Sequence, residues 1–468
     1  MIFLPRRLAM LLIVATLGAC TPARIATATP PAPLGQQVRA MLDSPDLAGT
    51  RWGVLVVNDQ GREIVAIDPD RRFVPASNSK IPAVLVNLAS LLPEPMGTAV
   101  AIDGGDAVLI GAGDPWLSAA PDCTRDCLSS LADAVAARTR RVRDVIGDDS
   151  LWRDERWGQG WSWNNLTARS GTAISALSLD ENVVTLTVTG GGVGAPAAVR
   201  ASDDWYEIDN RVTTASATAL SVSRLPGERR LVVSGTIAAS GGPATLVQAV
   251  DDPAHWAAHR FAAMLRARGV RVTGRIWARH RQPGAAAPSS LVPLARLDPP
   301  ALDETLARTM KASQNLFAEM LLRRAGDGSA EGGLARYPAL FAAAGAPRTG
   351  WDFADGSGMS NYNRLSPRAS VALLQWAARQ PWGGRWQSAL AVGGVDGTLA
   401  RRFRGTALEG RVRGKTGSLA GASALSGYMT AASGRTLTFA IFANDMPFAA
   451  ASVTPDMDRA LLAIAAAN

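Results

Sequence analysis

Pro75-Ala76-Ser77-Asn78-Ser79-Lys80 runs straight into IPAVLVNLASLL at residues 81–92. A short polar run leading into an apolar one predicts a helix that starts near Ser77 or Asn78. The spacing of three would then put the Ser77 hydroxyl and the Lys80 amine on one face of the first turn, where the helix N-terminus favours a developing negative charge. Pro82 is tolerated only close to such a start, since deeper in the helix it would lose a hydrogen bond and clash. It is also the one residue here that would tilt Lys80. A Ser three positions before a Lys is common by chance, so the motif needs support from elsewhere in the chain.

That support comes from lysine usage. Of 48 basic residues only Lys80, Lys311 and Lys415 are lysines, and Arg supplies the rest. A chain that uses Arg for general charge keeps Lys where a cation must lose its proton near neutral pH, which guanidinium effectively cannot do. Lys415 lies in Lys415-Thr416-Gly417-Ser418, ahead of strand patterns at 423–431 and 436–445 joined by a Ser-Gly turn. The pattern is that of a hairpin and would put this motif on a strand at a sheet edge. Gly417 there would let a ligand approach the backbone. Lys311 precedes Ser313-Gln314-Asn315 and a helical LFAEMLLRR, and reads as a neighbour of the chemistry rather than a participant.

Three motifs, SNSK, SQN and KTG, thus occur in order, with every Lys in or beside them. The set is the signature of penicillin-binding proteins and class A β-lactamases. The interval of 236 residues between Ser77 and Ser313 is longer than a compact acyl-transfer domain needs, so it contains an insertion. The chain resembles the class C low-molecular-mass penicillin-binding proteins, the D-alanyl-D-alanine carboxypeptidase/endopeptidase family. Further segments carry the likeness: Gly113-Asp114-Pro115, Ile146 to Ser150, Gly160 to Asn165, Asp355 to Ser360 and Gly394 to Leu399. Gln314 stands where Asp is usual in the middle motif.

The resemblance implies an α/β (α+β) transpeptidase-like domain, a five-stranded antiparallel sheet flanked by helices, split by a large, mostly β insertion with a nested third domain. The expected segments are a signal peptide at 1–19, a tether at 20–34, catalytic parts at 35–97 and 300–468, inserted parts at 98–190 and 251–299, and a nested β domain at 191–250. It also implies roles. Ser77 attacks the D-alanyl carbonyl, and Lys80, kept neutral by burial and by Lys415, takes its proton. Ser313 relays a proton to the leaving nitrogen, and Asn315 holds the substrate amide. Lys415 and Thr416 bind the terminal carboxylate, while the N–H groups of Ser77 and Ser418 form the oxyanion hole. The product is a penicillin-sensitive D-Ala-D-Ala carboxypeptidase, D,D-endopeptidase or both. Two rivals stand beside it: a β-lactamase, for which no deacylating Glu is recognisable, and a non-catalytic cell-wall-binding protein.

The remaining features concern location and partners. Arg6 and Arg7, the apolar run Leu8–Leu17 and small residues before Cys20 follow the order of an export signal too short to span a bilayer. Leu17-Gly18-Ala19-Cys20 resembles a lipobox, so Cys20 is the expected lipidation site of a periplasmic protein held to a membrane by its anchor only. Removal of 1–19 takes two Arg and no acid, so the net charge falls from +8 to +6. That balance suits peptidoglycan, with its free carboxylates, and no motif accompanies it that would suit nucleic acid. β-Lactams are the expected covalent inhibitors. Cys123 and Cys127 are candidates for a local disulfide in an oxidising compartment. No metal or other cofactor is expected, because the three His, His255, His259 and His280, form no ligand pattern. His255 and His259 read as structural residues on one helix face, and Asp148 and Asp149 as solvated or capping acids.

Overall fold

The computed structural model describes residues 33–90, 96–282, 284–286, 291–447 and 452–468. The signal segment, Cys20 and almost all of the tether lie outside these residues. No helix among the described residues is long and apolar enough to cross a membrane.

The two strand-like runs either side of the Ser-Gly turn form Ala422–Thr430 and Thr436–Asn444, the centre of an antiparallel sheet. Its order is Ala391–Val392, Val412–Leu419, Ala422–Thr430, Thr436–Asn444, Arg51–Val57 and Glu63–Ile67. Six strands stand where five were expected, because Ala391–Val392 adds a short pairing to Gly414 and Arg413. The expected edge is therefore only half open: Lys415 to Leu419 pair on one side alone, with Ser426 to Ala422. Period two sends Leu55, Ala424 and Phe442 to one face and Val54, Leu425 and Ile441 to the other. The first face packs on the helices Lys80–Ala89, Leu302–Lys311 and Pro367–Ala378. The second packs on Leu34–Leu42 and Thr454–Ala466. Burying both faces makes this a three-layer unit around its sheet.

The insertion is richer in helix than the sequence suggested. Ala99–Asp103, Asp106–Ile110, Val145–Arg153, Ile276–Arg281 and Ala295–Arg296 form a mixed five-stranded sheet. Asp106–Ile110, Val145–Arg153 and Ile276–Arg281 run parallel. Parallel neighbours need crossovers, and the helices Leu128–Arg138 and Pro253–Ala267 lie in those connections. Leu131, Val135, Phe261 and Leu265 pack into the same core as Leu109 and Val145. Two three-stranded sheets follow. One contains Val183–Thr189, Ala198–Ala201 and Ala244–Ala249, and so draws on residues either side of 190. The other pairs Glu207–Ala215 and Arg230–Ala238 in parallel. Cys123 and Cys127 are joined in a disulfide.

Candidate active site

The α-helix starts two to three residues later than predicted. Ala76–Ser79 form a 3-10 turn, and the α-helix runs from Lys80 to Ala89. Ser77 therefore sits on the tight turn that feeds the helix, with Ala76 before it at a φ of 47°. Gly358 explains how this turn is held: its φ is 87°, and a Cβ there would lie 2.0 Å from the Ala76 carbonyl oxygen. Pro82 occupies the third helical position and leaves Lys80 undisturbed.

Lys80 is fully buried. Its Nζ donates to Ser77 Oγ at 2.8 Å, to Asn315 Oδ1 at 2.6 Å and to the Ser357 carbonyl at 2.6 Å. The Asn315 amide is oriented by its own Nδ2, which donates to the Ser170 carbonyl at 2.8 Å. A neutral amine has two N–H bonds and one lone pair. With Asn315 and Ser357 taking the N–H groups, the lone pair faces the Ser77 hydroxyl. Burial pushes Lys80 down to about 7 against the opposing charges of Asp355 and Glu319.

Lys415 is also fully buried and donates at 2.8 Å both to Ser313 Oγ and to the Thr416 carbonyl. Burial and the neighbouring Lys80 hold it well below the ordinary lysine range. Ser313 has a φ of 59°, in the left-handed region that non-glycine residues seldom occupy. The Thr416 hydroxyl donates to Thr398 Oγ1 at 2.7 Å. Thr398 belongs to a turn whose Asp396 accepts from Lys311 Nζ at 2.6 Å. Lys311 thus supports the wall of the site without touching Ser77. Gly417 is glycine for a different reason from the one expected. A Cβ there would meet the Pro75 carbonyl at 2.7 Å and Ser77 N at 3.1 Å, so the strand and the Ser77 turn are packed backbone to backbone.

The structure thus brings together Ser77, Lys80, Ser313, Asn315, Lys415, Thr416, Gly417 and Ser418. Ser77, Ser313, Thr416, Gly417 and Ser418 line one cleft of about 590 Å³. Glu319 was not singled out from the sequence, and Asp355 only as the start of a segment carrying the likeness. Glu319 is fully buried four residues after Asn315, accepts from the N–H groups of Gly356 and Ser357, and pairs with Arg323 at 3.0 Å. Its signal was present: an acid on the apolar side of LFAEMLLRR. Asp355 accepts from Gly358 N, Ser360 N, Asn363 Nδ2 and Trp161 Nε1, which fixes the loop that offers the Ser357 carbonyl.

Asp148 and Asp149 are buried rather than solvated, although Asp148 does cap, accepting from Ser150 N at 3.0 Å. Asp148 pairs with Arg279, and Asp149 bonds to His280 at 2.9 Å. His255 and His259 both pack edge-on against Trp205, with His259 held by Asp204. No cluster of three or more His, Cys, Asp or Glu suited to a metal occurs among the described residues.

Residues 34–467 match the model of the D-Ala-D-Ala carboxypeptidase 3 (S13) family. The chain belongs to that family. It is accordingly a serine-type D,D-peptidase of the penicillin-binding class, acting on peptidoglycan, as the ordered motifs implied. It is 34% identical over 444 residues to a D-alanyl-D-alanine carboxypeptidase of Actinomadura sp. strain R39, covering 88% of this chain and 81% of that protein. It is 24% identical to the penicillin-sensitive carboxypeptidase A of Dictyostelium discoideum, over 86% of this chain and 85% of that one. The crystal structure of penicillin binding protein 4 from Haemophilus influenzae superposes with a TM-score of 0.76 at 23% identity. The match covers 91% of this chain and 98% of that one, and shows that the two share a fold.

Proposed function

We propose that Ser77 is the acylated nucleophile and Lys80 its general base, and that the enzyme cleaves the bond after a D-alanyl carbonyl. The observation that carries this is the 2.8 Å contact between Lys80 Nζ and Ser77 Oγ, with the other two positions on Nζ occupied by fixed acceptors. As the Ser77 Oγ–carbon bond forms, its proton passes to Lys80. When the carbon–nitrogen bond breaks, Ser313 relays a proton to the leaving amine. Water then cleaves the ester and restores Ser77. The N–H groups of Ser77 and Ser418 would hold the oxyanion, a contribution of roughly 3 kcal/mol per donor. Asn315 holds the substrate amide through the part of its side chain not committed to Lys80.

Lys415, with Thr416, binds the terminal carboxylate. Burial pushes both lysines towards neutrality, and no acid opposes it at Lys415. An arriving carboxylate favours charge on Lys415, and a charged Lys415 disfavours charge on Lys80. Substrate binding thereby frees the Lys80 lone pair. Penicillin binding protein 4 of Haemophilus influenzae has been solved in complex with a β-lactam, which supports reading this enzyme as a β-lactam target.

The segment 1–19 serves as an export signal, and Cys20 carries the lipid that holds the protein to a membrane facing the periplasm. The parts 35–97 and 300–468 form the catalytic unit, and 98–299 is the insertion; the nested part begins at Val183 rather than at 191, because Val183–Thr189 shares a sheet with Ala198–Ala201 and Ala244–Ala249. The test is fluorescent penicillin labelling of the mature chain and of Ser77→Ala, followed by mass analysis of digested muropeptides. Label and product that vanish together in Ser77→Ala support the assignment. Label retained by Ser77→Ala removes it, and rapid loss of label from wild type would favour a β-lactamase.

A further inference from the structure

The cleft is larger than the release of D-alanine requires. It extends from Ser77 and Ser313 past Thr416 to Arg402, Ser423 and Thr454. At roughly 30 Å³ per water-sized occupant, about 590 Å³ takes a group several times the size of D-alanine. The far end is built for negative charge. Arg402 is held rigidly, its Nε and Nη2 both on Asp458, with Nε to Oδ1 at 3.1 Å. Its side chain is 14% exposed. Its Nη1 has no hydrogen-bond acceptor among the described residues, so two donors of a positioned guanidinium remain for a ligand. Exposed Arg401 and Arg404 flank it in sequence. The first residue of the helix Thr454–Ala466 lines the same end, and a helix start adds positive potential.

We propose that this far end is a subsite for an acidic peptidyl leaving group, with Arg402 as its carboxylate anchor, which fits the enzyme to cross-links. The inference rests on the nucleophile assignment above. A departing D-alanine carries its carboxylate next to the amine, within reach of Lys415 and Thr416, and leaves the far end unused. A cross-link offers an amine attached to a second stem peptide with further free carboxylates. The bond changes are the same in both reactions; Arg402 acts by holding the leaving group and moves no proton.

The test compares kcat/KM for a cross-linked muropeptide dimer with that for an uncross-linked pentapeptide, in wild type, Arg402→Gln and Arg402→Lys. The expected result is a tenfold or greater fall in the dimer-to-pentapeptide ratio for Arg402→Gln, partly restored in Arg402→Lys. An unchanged ratio overturns the proposal. Should Arg402→Gln fail to fold without its Asp458 partner, wild type still decides. The free stem tetrapeptide should inhibit far better than its fully amidated form, and equal inhibition by the two refutes the subsite. Absence of penicillin label on wild-type Ser77 would instead strike the nucleophile assignment itself, so the two failures are distinguishable.

Discussion

Replacing Lys80 by Arg keeps a cation in the same burial and removes only its ability to lose a proton, because guanidinium stays charged throughout the accessible range. In wild type, Lys80 lies at about 7, so its neutral fraction rises from roughly one tenth at pH 6 to roughly nine tenths at pH 8. The second-order rate of Ser77 acylation by benzylpenicillin should therefore climb about tenfold over that interval. A lowered lysine is active above its pKa, so activity is lost as pH falls through about 7, not as it rises. In Lys80→Arg the rate should drop by about two to four orders of magnitude, the usual worth of a positioned base, and its dependence between pH 6 and 8 should disappear. The larger side chain also overpacks a fully buried site, for about 1–3 kcal/mol of stability, so a melting curve must show that the variant is folded. Stopped-flow acylation measured at several pH values supplies the rates. A folded Lys80→Arg that retains the wild-type slope would refute Lys80 as the base, and a flat wild-type profile would refute the neutral-amine argument.

Gly417→Ala places a methyl 2.7 Å from the Pro75 carbonyl; it should cost about 1–3 kcal/mol in chemical denaturation and slow acylation, since the Ser77 turn must shift. A thermally normal, fully active variant would show that the close packing is not needed. Glu319→Gln removes a charge that favours protonated Lys80, so the inflection of the acylation profile should move to lower pH. Arg323 loses its buried partner at the same time, for about 3–5 kcal/mol, and an inflection moved to higher pH would contradict the assigned electrostatics. His280 is raised to about 10 by its hydrogen bonds to Asp149 and Asp252. Its stabilisation is full below about 6.5, the unfolded value, and is lost as pH rises through about 10. Scanning calorimetry of His280→Gln should accordingly show the largest deficit in melting temperature at pH 6 and a vanishing one above pH 10.

The sequence by itself determined the chemistry, because a lysine in an arginine-rich chain and three short motifs in order are local facts. It also determined the hairpin of the central sheet, where two strand-like runs flank a Ser-Gly turn. Other features depended on approach between distant segments, which no local pattern encodes. The parallel strands of the insertion required two helical crossovers, and nothing in the strand sequences alone distinguishes parallel from antiparallel neighbours. Asp149 read as a solvated or capping acid, whereas it is buried against His280, 131 residues away. Gly417 read as room for a ligand, whereas its space is taken by the Pro75 carbonyl. Lys80 shows the division within one residue. Its identity and spacing from Ser77 were visible at once, but the lone pair is directed at Ser77 only because Asn315 and Ser357, 235 and 277 residues away, occupy its other two directions.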